Sequence, residues 1–175
     1  MTSEAMPIIY LPHHLAQGTA RLLESFASLR PSEGVVYWFG LETDGAAVVS
    51  TVVVPNADTT GGTVRTSAQV NADTIRLIID TPLRYLGQAH SHPGAEVFHS
   101  IVDDEQTFAR FDGAISVVVP WFGRYGLHPN QCGVYRHICG KFRAVKDIDA
   151  HLRLIPGVVD MRPAIHQGGL NVHHP

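Results

Sequence analysis

The chain has 175 residues, 45% of them hydrophobic and 17% charged, which suits one folded domain around a single core. Its net charge of -3 gives no general basic footprint for nucleic acid and no polybasic signal for an anionic membrane. No window holds roughly 18 consecutive apolar residues, as a membrane span would need. The opening MTSEAMPIIYLPHH lacks the basic and apolar run of a secretory signal, so a cytoplasmic location is expected.

In chain order, Leu15, Ala16, Thr19, Leu22, Leu23 and Phe26 recur at three- and four-residue steps and predict a helix over 13–29. Pro31 stops it. GVVYWFG (34–40) predicts a strand, ETDG (42–45) a turn and AAVVSTVVVP (46–55) a second strand, together a hairpin. NADTTGGTVRT (56–66) is a polar loop long enough to carry a role of its own. Residues 68–80 predict a helix with Ile75, Ile78 and Ile79 inward. LRYLGQAH (83–90) is a strand that delivers His90 at its end, and SHPGAEVFH (91–99) is a loop.

Ser100 begins a predicted helix running to about Phe111, with Ile101, Phe108 and Phe111 as its apolar members. AISVVVP (114–120) is a near-continuous apolar run and hence a buried strand. QCGVYRHIC (131–139) and KFRAVKDI (141–148) can pair through Gly140, while 149–160 is ambiguous. The expected fold class is α/β, a mixed β-sheet flanked by helices. Residues 1–160 form the expected single domain, and 161–175, Gly-, Pro- and His-bearing, a flexible tail. Cys132 and Cys139 stand an odd number of residues apart and would point to opposite faces of one strand. They read as two free, small, buried residues in a reducing compartment.

Histidine is abundant, at 11 residues, but His13, His14, His128, His137, His151, His166, His173 and His174 are scattered and are not expected to be ligands. The segment 90–103, H-S-H-P-G-A-E-V-F-H-S-I-V-D, is different. Zinc favours imidazole nitrogen and carboxylate oxygen, and a catalytic site keeps a position open for water. Two histidines at i and i+2 of a strand end project to one side. The loop after them can fold Asp103, in the first turn of the next helix, back against the pair. Ser100-Ile-Val-Asp103 also reads as a helix-start capping box. The whole pattern H-x-H-x7-S-x2-D arises by chance in roughly one such chain in 500.

A hydrolytic zinc site also needs a proton acceptor. Glu33, Glu42, Glu96, Asp104 and Glu105 are candidates. Glu33 immediately precedes the apolar strand 34–40, which can lie beside the strand ending at His90. An inert structural zinc would need a fourth protein ligand, and no cysteine is placed to supply it.

Glu33-x6-Gly40, then His90-Ser91-His92-Pro93, Ser100 and Asp103, with Gly87 upstream, resemble the JAMM motif of MPN/JAB-domain metalloproteases. The resemblance spans residues 15–145. It implies the MPN/JAB fold, a cytidine-deaminase-like layered sandwich. It further implies one zinc ion held by His90, His92 and Asp103, with Glu33 as general base and Ser100 supporting the oxyanion. Catalytic relatives cut the peptide or isopeptide bond after the C-terminal glycine of ubiquitin or ubiquitin-like proteins. The compact chain resembles prokaryotic-type JAB deubiquitinase-like peptidases. Such enzymes accompany conjugation systems with their own activating and conjugating enzymes, some in antiphage defence, while others process sulfur carriers of the ubiquitin fold. By the same resemblance the loop Asn56–Thr66 is a substrate-binding insertion. Two other readings stay open: an MPN scaffold without catalysis, and a zinc hydrolase of a small amide.

Overall fold

The computed structural model describes residues 6–28, 30–60 and 63–157. The first elements are β1 (Ile8–Pro12), α1 (His13–Phe26), β2 (Val35–Thr43), β3 (Ala46–Val53), β4 (Asp58–Thr60), β5 (Thr63–Arg65) and α2 (Ala68–Ile78). There follow β6 (Arg84–Ser91), α3 (Ile101–Gln106), β7 (Ile115–Val119), β8 (Gly133–Ile138), β9 (Lys141–Ala144) and β10 (Leu152–Ile155). Eight strands form one mixed sheet in the order β10-β1-β3-β2-β6-β7-β8-β9, and β4 pairs with β5 apart from it. The sheet flanked by helices agrees with the sequence reading.

β2 explains how the sheet is covered. Its first six residues are all buried because it faces apolar groups on both sides. Val36 and Trp38 join Ile9, Ala47, Val49, Ala89 and Val117 in the core under α1. That helix contributes Ala16, Ala20 and Leu23, one stripe at helical spacing. The Trp38 indole donates to Thr19 Oγ1 at 3.1 Å, so the buried N–H is satisfied. Val35, Tyr37 and Phe39 face the other way, against Tyr85, Phe108, Ile78 and Val64. By strand pairing, His90 lies beside Val35 and Gln88 beside Tyr37, which sets both on this second face.

The sheet curls until its distant strands meet. Arg136 on β8 donates from its guanidinium to the carbonyls of Gly113 and Pro7 and to that of His151 at 3.3 Å. Pro7 and His151 immediately precede β1 and β10, at the opposite end of the strand order. No described helix is long and apolar enough to cross a membrane.

Several expectations are corrected. The helix expected over 100–111 is the six-residue α3. Thr107 turns extended and its hydroxyl binds Asp103 O at 2.8 Å. Phe108 is then drawn into an aromatic cluster, stacked on Tyr37 at 4.6 Å and edge-on to Tyr85 at 5.0 Å. Ile101 and Phe111 are exposed. On α2 the buried residue is Thr74; Ile78 packs inward, but Ile75 and Ile79 are exposed, because the helix leans on the β4–β5 side of the sheet by one narrow stripe.

The loop 56–66 contains the β4–β5 hairpin. β2 runs on to Thr43 and the expected turn shrinks around Gly45, whose φ is +79°. Residues 8–12 and the ambiguous 152–155 are strands paired parallel to each other. Cys132 is buried and Cys139 exposed, both free; Cys139 sits in the β8–β9 turn beside Gly140. His137 is buried, with Nδ1 3.2 Å from Asp112 Oδ1. The expected tail 161–175 lies outside the described residues.

Candidate metal centre

β6 ends at Ser91, so His90 is its penultimate residue and His92 the first beyond it. The loop 93–99 folds back and sets the start of α3 against them. His90 Nε2 stands 3.5 Å from Asp103 Oδ1, and His92 Nε2 stands 3.7 Å from Asp103 Oδ2. The ligand atoms of His90, His92 and Asp103 lie within 4.8 Å of one another, and no other such group occurs among the described residues.

Local bonding orients His92 and Asp103. His92 Nδ1 is 3.1 Å from Glu96 O; a ring N–H donating there leaves Nε2 free as a ligand atom. Ser100 and Asp103 form the capping box: Ser100 Oγ accepts from Asp103 N at 3.1 Å, and Ser100 N donates to Asp103 Oδ2 at 2.7 Å. The cap therefore also fixes the carboxylate. Burial alone would raise the Asp103 pKa, but the His90 and His92 rings and the Ser100 amide outweigh it and hold the carboxyl well below its usual range. Burial would lower His92; the neighbouring Asp103 and Glu33 outweigh it and raise it.

A metal ion fits these residues. His90 is 1% exposed, yet neither ring nitrogen has a hydrogen-bond partner. Buried polar atoms without partners are uncommon and costly. The donor set, two imidazoles and one carboxylate, is the kind zinc takes with a position left open.

Glu33 reaches the same place from the segment that leads into β2. Ser91 N donates to Gly34 O at 3.0 Å, and Gly34 N to Ser91 Oγ at 3.0 Å. This double bond of backbone and side chain ties the entry of β2 to the exit of β6. Glu33, 5% exposed, then lines a cleft of about 210 Å³ with His92, Pro93, Gly94, Glu96, Phe98, Ser100 and Asp103. Burial raises its pKa to about 7, with the His92 charge opposing and Asp103 adding to the rise.

The other carboxylates differ. Glu42 is exposed near the far end of β2, and Glu96 is exposed at the cleft's rim. Asp104 Oδ1 faces His99 at 3.0 Å. The Glu105 side chain lies outside the described residues. From the loop 56–66, Val64 and Thr66 line a narrow cavity of about 10 Å³ with Val35, Tyr37, Gln88, His90 and Asp103. Thr66 Oγ1 is 3.1 Å from Tyr37 OH.

Sequence reasoning missed His99. Its side chain is 3% exposed and its ring lies edge-on to His90, with centroids 5.6 Å apart. Burial and the His90 charge push its pKa down to about 4. No spacing marks it; its place directly before the helix cap was the available sign.

No protein-family model matches the chain. A probable metalloprotease of Sinorhizobium fredii is 31% identical over 108 residues, which cover 59% of this chain and 66% of that protein. A Desulfitobacterium hafniense protein matches in structure with a TM-score of 0.65 at 13% identity, covering 85% of this chain and 94% of its own. A JAB1/MPN domain protein of Archaeoglobus fulgidus matches with a TM-score of 0.50 at 16% identity, covering 84% and 96%. The architecture is thus that of the JAB1/MPN domains. The His90, His92 and Asp103 constellation and the curated relative, a probable metalloprotease, together support a place for the chain in the JAMM/MPN family.

Proposed function

We propose that this chain is a zinc-dependent hydrolase that cuts the peptide or isopeptide bond after the C-terminal glycine of a ubiquitin-like protein. The observation that carries the hydrolase reading is that the buried His90, neither of its ring nitrogens hydrogen-bonded, converges with His92 and Asp103, while His92, Asp103 and the buried Glu33 line one open cleft. His90, His92 and Asp103 would hold one zinc ion. Zinc so held lowers the pKa of a coordinated water toward 7 and polarises a carbonyl.

The chain's own groups supply the rest. A carboxyl beside the reacting groups takes a proton from water and returns it to a leaving nitrogen; Glu33 is placed for this in the cleft with His92, Ser100 and Asp103. The Ser100 hydroxyl already accepts from Asp103 N, which leaves its hydrogen free to donate toward an oxyanion. An extended, small-residue tail such as Gly-Gly would lie in the cleft of about 210 Å³ lined by Glu33, His92, Ser100 and Asp103, held through its backbone as an added strand. Activating and conjugating enzymes would then be its natural associates in a bacterial conjugation system.

The test is incubation of the full chain with a ubiquitin-like protein carrying a C-terminal extension. Cleavage after the terminal glycine, blocked by a chelator and absent in Glu33→Ala with its zinc retained, is expected. Zinc-loaded protein that leaves several such substrates intact overturns the substrate; wild-type protein without zinc overturns the site.

A further inference from the structure

His99 is the most heavily anchored side chain near the centre, and the hydrolytic roles above do not use it. Its Nε2 is 2.9 Å from Ser116 Oγ on β7. Its Nδ1 stands 3.0 Å from Asp104 Oδ1 on α3, a polar contact that lacks hydrogen-bond alignment. The ring lies between aromatic residues of two more strands, 5.0 Å from Tyr135 on β8 and 4.8 Å from Phe142 on β9. The backbone is held as well: His99 N donates to Tyr135 OH at 3.1 Å, and that hydroxyl donates to Val97 O at 3.0 Å. Gly133 at the start of β8 lets the chain come this close, since a Cβ there would collide with Val97 O. Ser116 is fully buried.

These contacts join parts that a metal ion needs at fixed separation. His90 arrives on a strand, Asp103 on a six-residue helix that cannot define its own position. His99 reaches β7 with one end of its ring and α3 with the other, and its body meets His90 at an interplanar angle of 77°. An apolar ring could fill the same cage, yet it would release both polar ends and strand Ser116 in the interior.

We propose that His99 is a positioning residue for the metal: it fixes the His90 ring and the docking of α3, and so sets the affinity and coordination geometry of the His90, His92 and Asp103 group. The proposal rests on the zinc reading above. Groups that orient metal ligands from behind commonly change metal affinity about 10- to 100-fold when replaced.

The experiment uses the full chain and two probes, Zn²⁺ measured by competition with a chromogenic chelator and Co²⁺ measured by its visible absorption. His99→Phe keeps the stacked ring. It is expected to weaken zinc binding by about 10- to 100-fold and to shift the Co²⁺ bands, with His99→Gln recovering part of both. If His99→Phe does not fold, Ser116→Ala removes one end of the anchor while leaving the aromatic cage, and a several-fold loss is expected. Unchanged zinc affinity and an unchanged Co²⁺ spectrum in a folded variant overturn the proposal while the zinc reading stands. Wild-type protein that takes up neither ion overturns both.

Discussion

Ser91 and Gly34 bond to each other twice, backbone to backbone and amide to hydroxyl, both at 3.0 Å. Ser91 sits between the two histidines and Gly34 follows Glu33, so this pair holds the proposed base beside the proposed ligands. Ser91 is fully buried, and Ser91→Ala would leave the Gly34 amide with no acceptor. A loss of about 1–3 kcal/mol in urea unfolding is expected, with zinc content kept and hydrolysis reduced. An equally stable variant with full activity would show that the pairing does not position Glu33.

Ser100 carries two proposed tasks that one pair of substitutions separates. Glycine is nearly as good a helix cap as serine, and its introduction costs only about a few tenths of a kcal/mol. A lost oxyanion donor costs about 10²- to 10³-fold in kcat. Ser100→Gly is therefore expected to unfold almost like wild type while hydrolysing far more slowly, and Ser100→Thr to retain most of the rate. A kcat in Ser100→Gly that falls no further than its stability would leave the residue as a cap alone.

The ligand set was legible because it is local. His90 to Asp103 lies within one strand end, one loop and one helix start, and the spacing carries the chemistry. The apolar run at Val35–Phe39 was also legible, since a strand buried on both faces needs no alternation. The pairing that brings Glu33 to the site was legible only as one the strand 34–40 can make, because the register between β2 and β6 has no local signature; the choice of Glu33 among five carboxylates came from the family resemblance. β1 and β10 were missed for a related reason. Each is short and gains its hydrogen bonds from a strand far away in the chain, so neither shows a hairpin turn. The shortened α3 reflects Phe108, whose place is decided by Tyr37 and Tyr85 rather than by helical periodicity.

Glu33 also makes a stability prediction for chelator-treated protein. Burial raises its pKa to about 7 in the folded chain from an ordinary 4.5, so folding favours the neutral carboxyl. That advantage is complete below the lower value and is lost as pH rises through the higher one. Glu33→Gln keeps a neutral group throughout. Metal-free wild type is expected to lose stability relative to Glu33→Gln as pH rises from about 5 to about 8, read as the difference between their urea midpoints. A difference that stays constant over that range would refute the raised pKa.

Arg136 is fully buried and serves the curl of the sheet. Its guanidinium binds the carbonyls of Pro7, Gly113 and His151, and no ion pair with a carboxylate is present among the described residues. Burial lowers its pKa to about 10, with Glu42 opposing, so it remains charged at neutral pH. A planar fork can meet several carbonyls at once; a lysine ammonium is a point charge on a flexible stem and cannot reproduce that geometry. Arg136→Met strands the Gly113 and Pro7 carbonyls, while that of His151 keeps the Ile9 amide at 3.0 Å; it also removes a buried charge, and the two effects oppose each other. The stranded carbonyls should prevail, because hydrogen bonds to charged groups are each worth about 1.5–3 kcal/mol. Both Arg136→Met and Arg136→Lys are therefore expected to lower unfolding free energy by about 2–4 kcal/mol, with amide exchange accelerating first in β1 and β10. Protection that falls evenly over the whole sheet would mean that Arg136 supports the core at large and not the junction of its two ends.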